Sequence, residues 1–398
     1  MKLLWVKAGG LLPPDMGGKI RSYQILKQLA RCHEVTLFTF YSEHPDDQHL
    51  LGNGIFSRVV PLPLPLPPRR SLGEYTRAAR LMAAGRPVTV DKFLRPEVYR
   101  RYAELLSGSE FDLIVCDFIV PAPLMRWKTP PTILFTHNVE AQIWERHARF
   151  ASNPVMKAVY RLESRALART ERKYVELADH VLTVSENDRA FFLRYVQPDR
   201  ISVIPTGVDT EYFQPSALPE EPETAVFTGS MDWMPNEDGV TYYVDKIFPL
   251  IQREIPAAAF WAVGRRPTAR TRALASTNIH VTGAVDDIRP YLAKAAVCVV
   301  PLRSGSGTRI KIYEAMAMGK AVVSTTMGAE GLPVRHGENI ILADHPADFA
   351  RHVVELLRDP PRRVQLGQAA RQLVEQNYSW SSVAATFDQI MHAVAGHA

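Results

Sequence analysis

Apolar residues along this chain fall into short runs separated by amphipathic stretches, and the two patterns alternate from end to end. In the first half, runs at residues 3–6, 34–40, 111–117, 131–136 and 180–184 predict β-strands, and periodic segments at 21–31, 96–107 and 155–178 predict helices. The second half repeats the scheme, with strands at 224–229, 258–264, 278–282, 296–301 and 321–324 and helices at 239–253, 287–295, 308–318 and 347–359. Strand–helix alternation of this kind builds parallel, doubly wound sheets with right-handed crossovers. The tail, NYSWSSVAATFDQIMHA, opens on a serine cap signal and continues at helical spacing, which predicts a closing helix.

A length of 398 residues is too great for one ordinary core and predicts two domains. Apolar periodicity vanishes at 214–223 (QPSALPEEPE), near the boundary between the halves. The reading assigns residues 1–205 to an N-terminal Rossmann-like domain closed by a helix over 378–398, and residues 206–377 to a C-terminal Rossmann-like domain. A second proline-rich stretch, PLPLPLPPRR at 61–70, reads as extended polyproline serving as a rigid surface connector, or as a loop facing an acceptor or a membrane.

Composition adds exclusions. A hydrophobic content of 46% and a charged content of 22% describe a globular protein, and the apolar runs fall far short of the ~20 residues that a membrane helix needs. The start, MKLLWVKAGG, reads as a first strand and not as a leader. Cys32, Cys116 and Cys298 lie far apart, without metal or disulfide spacing, and read as small buried hydrophobes in a reducing compartment. Net charge is +5, and the excess is local: residues 146–173 hold eight cations against Glu163 and Glu171. Lys157, Arg161, Arg165 and Arg169 recur every four residues as a cationic stripe. Such a stripe suits an anionic membrane surface, though a solvated helix face is the plainer reading. No nucleic-acid motif accompanies it.

The candidate chemistry concentrates in residues 298–332, CVVPLRSGSGTRIKIYEAMAMGKAVVSTTMGAEGL. An apolar strand runs into a loop with Gly305, Ser306 and Gly307, and then into a helix with Thr308 as its cap and Arg309, Lys311 and Glu314 on its first turns. Glycines let a backbone approach a ligand, and a helix N-terminus favours an anion. The two cations make that anion a diphosphate, and Glu314 is placed to accept from a sugar diol. The stretch therefore reads as a sugar-nucleotide pocket. In the first half, His137 follows the strand at 131–136, at the edge where open parallel sheets bind ligands, with Glu140 just beyond. His137 is a candidate hydrogen-bonding partner of a transferred sugar or incoming hydroxyl, and Glu140 a candidate to orient an acceptor or move a proton.

The run YEAMAMGKAVVSTTMGAEGL resembles the LEAMAxGxPVV signature of family-4 (group 1) glycosyltransferases. Other landmarks of that family follow in order: Gly17-Gly18 before Arg21, ADHVLTVSEND at 178–188, ISVIPTGVDTEYFQP at 201–215, AVFTGSM at 225–231 and HVTGAVDDIRPYLAKA at 280–295. The resemblance covers nearly the whole chain. It implies the GT-B fold, two doubly wound Rossmann-like α/β domains facing a central cleft. It also implies retaining transfer of a hexose from a nucleotide-diphosphate sugar to a hydroxyl on a glycan, lipid-linked or small-molecule acceptor, in bacterial polysaccharide or other glycoconjugate biosynthesis. The expected donor base is UDP, with GDP as the alternative, and no metal is required.

By the same resemblance, Gly17, Gly18, Gly229, Gly264, Arg265, Val285, Gly328, Ala329 and Glu330 join the donor-binding set, and His137, Glu140, Arg309 and Lys311 the catalytic set. The chain departs from the family at Ser306, where a Glu is common, and at Ser230 and Asp238, where Arg and Lys are usual. Arg309 and Lys311 are the expected replacements, with Arg265 or Arg266 assisting. The competing expectations are a nucleotide-sugar 2-epimerase and an inactive donor-binding partner subunit. Placement is expected in the cytoplasm, including the inner face of the membrane.

Overall fold

The computed structural model describes residues 1–12, 17–41, 56–64, 71–126, 130–151, 153–304 and 310–396. The expected cap and loop residues Gly305, Ser306, Gly307, Thr308 and Arg309 lie outside the described residues, as do positions 65–70 of the proline-rich stretch. The chain forms two compact units, Met1–Pro205 with Val383–Ala398, and Thr206–Ser382.

The first unit is built on seven parallel strands: β1 (Lys2–Ala8), β2 (Glu34–Phe40), β3 (Arg58–Leu62), β4 (Leu113–Asp117), β5 (Thr132–Phe135), β6 (His180–Thr183) and β7 (Ile201–Val203). Their order across the sheet is β3-β2-β1-β4-β5-β6-β7. Central strands covered on both faces read as unbroken apolar runs, and β4 (LIVCD) is buried at every position. Its described helices include α1 (Gly17–Leu29), α2 (Leu72–Ala83), α3 (Val88–Asp91), α4 (Pro96–Gly108), α5 (Glu140–Phe150), α6 (Pro154–Leu177) and α7 (Glu186–Phe192). Sequence chemistry sets their ends: Pro154 opens α6 behind Asn153, whose side chain accepts from the N–H groups of Val155 and Met156. Glu163 and Glu171, buried on α6, cap other helices. Glu163 accepts from the N–H groups of Val88 and Thr89, and Glu171 from those of Glu140 and Ala141.

The second unit carries β8 (Glu221–Thr228), β9 (Ala259–Val263), β10 (Ile279–Val281), β11 (Ala295–Val300), β12 (Ala321–Ser324) and β13 (Ile341–Leu342) in the order β10-β9-β8-β11-β12-β13. Counted within the unit, this is the 3-2-1-4-5-6 order of dinucleotide-binding sheets, and every pair is parallel. Its described helices include α8 (Met234–Tyr242), α9 (Phe248–Glu254), α10 (Ala269–Arg272), α11 (Arg289–Lys294), α12 (Ile310–Ala317), α13 (Pro346–Arg358) and α14 (Pro360–Asn377). The last helix, α15 (Trp380–Gly396), returns the chain to the first unit at Val383.

Two departures from the expected elements have local causes. The helix expected at 239–253 is α8 and α9 joined by a π-helical turn at Tyr243–Ile247, with Pro249 near the start of α9. Pro61 is not polyproline: it lies in β3, the edge strand, where a missing N–H costs no ladder bond. Arg21, on α1, is buried. Among the described residues no helix is long and apolar enough to cross a membrane.

Candidate active site

Open parallel sheets bind ligands beyond the carboxyl ends of their strands, where the strand order reverses. In the first unit that point lies between β1 and β4, and the register places Lys7 opposite Asp117 there. The Lys7 Nζ lies 2.8 Å from Asp117 Oδ2, which also accepts from Trp5 Nε1 at 3.0 Å. Asp117 Oδ1 faces His137 Nε2 at 2.8 Å, and the other ring nitrogen, Nδ1, faces Arg21 Nη1 at 2.9 Å. A guanidinium only donates, so Nδ1 accepts and Nε2 carries the proton toward Asp117.

The His137 ring is held within this cluster. Nδ1 is engaged by Arg21, Nε2 is buried facing Asp117, and the ring is stacked on Phe118 at 3.8 Å between centroids, with Phe135 at 4.4 Å. Burial pushes the His137 pKa down to about 3; Asp117 opposes the shift, and Arg21 and Lys7 add to it, so the ring is neutral. Burial pushes the Asp117 carboxyl up, but Lys7 and His137 outweigh this and hold it below the usual carboxylate range. Arg21 is lowered by burial to about 10 and stays charged at neutral pH.

The expected glycine loop has a packing explanation as well. A Cβ at Gly18 would lie 2.6 Å from the Phe118 ring, whose residue itself sits at φ 74°, whereas a Cβ at Gly17 meets nothing. Glu140 opens α5, and its N–H is taken by Glu171 Oε1 at 2.6 Å. Burial raises both carboxyls, Glu171 to about 8, and an Asn138 hydrogen bond partly offsets the rise at Glu140.

In the second unit the strand order reverses between β8 and β11. Gly229, just past β8, and Gly264, just past β9, touch backbone to backbone: a Cβ at Gly264 would lie 1.8 Å from the Gly229 oxygen. Lys311 on α12 covers Gly229, its Nζ 2.7 Å from Asn236 Oδ1 and 3.9 Å from the centroid of the Phe227 ring. Glu314, one turn on, is half-buried, and burial raises its carboxyl to about 7 against the pull of Lys311.

Cations also reach the two positions where the sequence lacks the family's charges. Arg265 Nε donates to Ser230 Oγ at 3.2 Å, and Arg266 pairs with Asp232. Arg303, just past β11, grips Asp238 with two bonds, 3.1 and 2.6 Å. Sequence reasoning missed Arg303 and Asn236. The signal for Arg303 was its place between an apolar strand and the glycine loop.

The loop after β12 is bonded to itself. Thr325 takes the N–H groups of Gly328 and Ala329. A Cβ at Gly328 would meet Ser324 Oγ at 2.4 Å, which accounts for the glycine. Glu330 is exposed, and Val285 packs against the core of the unit. Asp287 accepts from the Arg289 N–H at the start of α11.

The model described as Glycosyltransferase Family 4 matches residues 17–212, and that described as Glycosyl transferases group 1 matches residues 222–359. An uncharacterized 44.6 kDa protein in cps region of Klebsiella pneumoniae is 20% identical over 400 residues, covering 96% of this chain and 97% of its own. A GDP-mannose-dependent alpha-(1-6)-phosphatidylinositol monomannoside mannosyltransferase of Mycobacterium tuberculosis is 26% identical over 340 residues, with 78% and 83% covered. Among solved structures, sucrose-phosphate synthase of Thermosynechococcus elongatus aligns with a TM-score of 0.68 at 19% identity over all of both chains. Anabaena HepE in complex with UDP and glucose aligns at 0.65 and 14% identity, covering 99% of this chain and 100% of that one. At these identities the structures show the shared two-domain parallel-sheet fold, GT-B.

Proposed function

Because the chain belongs to the group 1, family 4 glycosyltransferases, we propose that it transfers a hexose from a nucleoside diphosphate sugar to a hydroxyl acceptor, with retention of anomeric configuration. The observation that carries this reading is the pairing of Lys311 and Glu314 on one face of α12, beside the β8/β11 reversal where Lys311 covers Gly229.

The reaction must stabilise charge growing on the leaving phosphate oxygen. Lys311 and Arg309 supply the counter-charge, with Arg265 assisting, and these protein cations stand in for a metal. Glu314 accepts from the ribose hydroxyls as a carboxylate. Glu330 accepts from a sugar hydroxyl, beside Gly328 and Ala329, and Val285 lies on the base side. In the first unit a Cβ at Gly17 would meet nothing, whereas at Gly18 it would meet the Phe118 ring. His137 is a positioning residue: its neutral ring links Asp117 to Arg21 and holds that guanidinium at the sheet edge. Glu140, its carboxyl raised by burial, is the group that orients the acceptor hydroxyl or takes its proton.

UDP is the proposed donor nucleotide, in keeping with the UDP-bound HepE structure, and GDP the alternative, in keeping with the mycobacterial relative. The Klebsiella relative supports a role in bacterial polysaccharide or glycoconjugate synthesis. The acceptor side is assigned to the inner face of the membrane. Arg149, Lys157, Arg161 and Arg165 line a surface cavity of about 350 Å³ between α5 and α6, against the single carboxylate of Glu145. Phe150, 81% exposed, and Val155, 69% exposed, flank it, and cations beside bare apolar side chains suit anionic lipid.

A thermal-shift panel of UDP-, GDP-, ADP- and TDP-sugars, followed by an acceptor screen, tests the reading. One base should raise the melting point, and the product should keep the donor's anomeric configuration. Rearranged donor in the absence of acceptor identifies an epimerase instead, and binding without turnover a partner subunit. A nucleotide complex with the nucleoside away from α12 overturns the assignment of the site.

A further inference from the structure

The return helix α15 brings a metal-ligand set to the first unit. His33 stands in the turn between α1 and β2, while Asp388 and His392 lie four residues apart on one face of α15. His33 Nε2 is 2.7 Å from Asp388 Oδ1, His392 Nε2 is 3.5 Å from the same oxygen, and the three ligand atoms lie within 4.8 Å of one another. Zinc binds imidazole nitrogen and carboxylate oxygen at about 2.0–2.2 Å, so the ligand atoms of one tetrahedral ion stand roughly 3.3 Å apart. The observed separations bracket that value.

The scaffold is rigid where it needs to be. The His33 side chain is only 4% exposed. The register of α15 is pinned by Phe387, packed on Trp5 at 5.6 Å and on Phe135 at 5.4 Å between ring centroids, and by buried Met391. His392 is 60% exposed, which leaves an approach from solvent. Two imidazoles and one carboxylate, with water in the fourth position, suit zinc and other imidazole-seeking divalent ions better than magnesium or calcium.

We propose that His33, Asp388 and His392 bind one zinc-class divalent ion that fastens α15 to the first unit. The metal takes the Nε2 lone pairs of His33 and His392 and one Asp388 oxygen. None of the three ligands enters the proposed transfer reaction, so the site stands or falls independently of it.

The test uses the full chain without a histidine tag, stripped with chelator and titrated with Zn²⁺ alone. One equivalent should bind, the melting point should rise, and Co²⁺ should give the visible absorption of a tetrahedral site. His392→Ala, on the exposed side of the set, should weaken binding by about tenfold or more and abolish the thermal shift, while its circular dichroism matches the parent. His392→Cys should restore binding. Failure of the parent to bind one equivalent, or equal binding by parent and His392→Ala, overturns the site and leaves His33–Asp388 as a hydrogen bond that pins the helix.

Discussion

Lys7 and Asp117 face each other across β1 and β4 as a buried ion pair, Nζ to Oδ2 2.8 Å, at the point where the sheet reverses its strand order. Removing one charge leaves the other buried. Lys7→Met should therefore lower stability by about 3–5 kcal/mol, read from urea unfolding, and Lys7→Met with Asp117→Leu should recover part of the loss. Equal midpoints for parent and Lys7→Met would contradict the burial.

His137 makes the same cluster sensitive to acid. Its pKa falls from 6.5 to about 3 on folding, so between these values the unfolded chain binds a proton that the folded chain does not. A group lowered in this way contributes its full stability above 6.5 and loses it as pH drops toward 3, at up to about 1.4 kcal/mol per pH unit. Unfolding midpoints at pH 7, 6 and 5 should show this slope, and His137→Asn should flatten it.

Glu314 shifts the other way. Burial raises its pKa from 4.5 to about 7, so the folded chain holds a proton there that the unfolded chain loses, and its contribution to stability falls as pH rises through 7. Clasping ribose needs the carboxylate. Donor affinity should therefore improve by about tenfold between pH 6 and pH 8, and Glu314→Gln should bind more weakly with no such dependence. Calorimetric titration with the nucleotide at the two pH values decides.

Gly264 has no room for a side chain, since a Cβ would lie 1.8 Å from the Gly229 oxygen at φ +157°. Gly264→Ala should force β8 and β9 apart at their carboxyl ends and cost about 2–4 kcal/mol. Gly17→Ala, where a Cβ meets nothing, is the control and should leave the unfolding midpoint nearly unchanged.

The cationic cavity between α5 and α6 should draw the protein to vesicles containing phosphatidylglycerol at low salt. Each cation near such a surface is worth about 1 kcal/mol, so Arg161→Gln with Arg165→Gln should lower partitioning about thirtyfold. Absence of sedimentation by the parent chain at low salt ends the membrane assignment.

Some features were legible early. β2 and β12 stand where the apolar runs placed them, because a central parallel strand covered on both faces carries a near-continuous apolar run. β3 and β13, at the sheet edges, are short and partly open, and their sequences carry little of that signal. The helix α5, EAQIWERHARF, hides its apolar face among charges, and α14 begins on two prolines and two arginines that resemble a loop.

What the sequence determined by itself is the alternating architecture and the motif-bearing segments, since periodicity and glycine spacing act over a few residues. Tertiary structure alone decided which side chains meet. Lys7 reaches Asp117 across 110 positions, Arg21 reaches His137 across 116, and His33 reaches Asp388 across 355. No local pattern records such encounters. They make His137 a neutral buried link between Asp117 and Arg21, because removal from water and three neighbouring charges, not residue type, govern its proton.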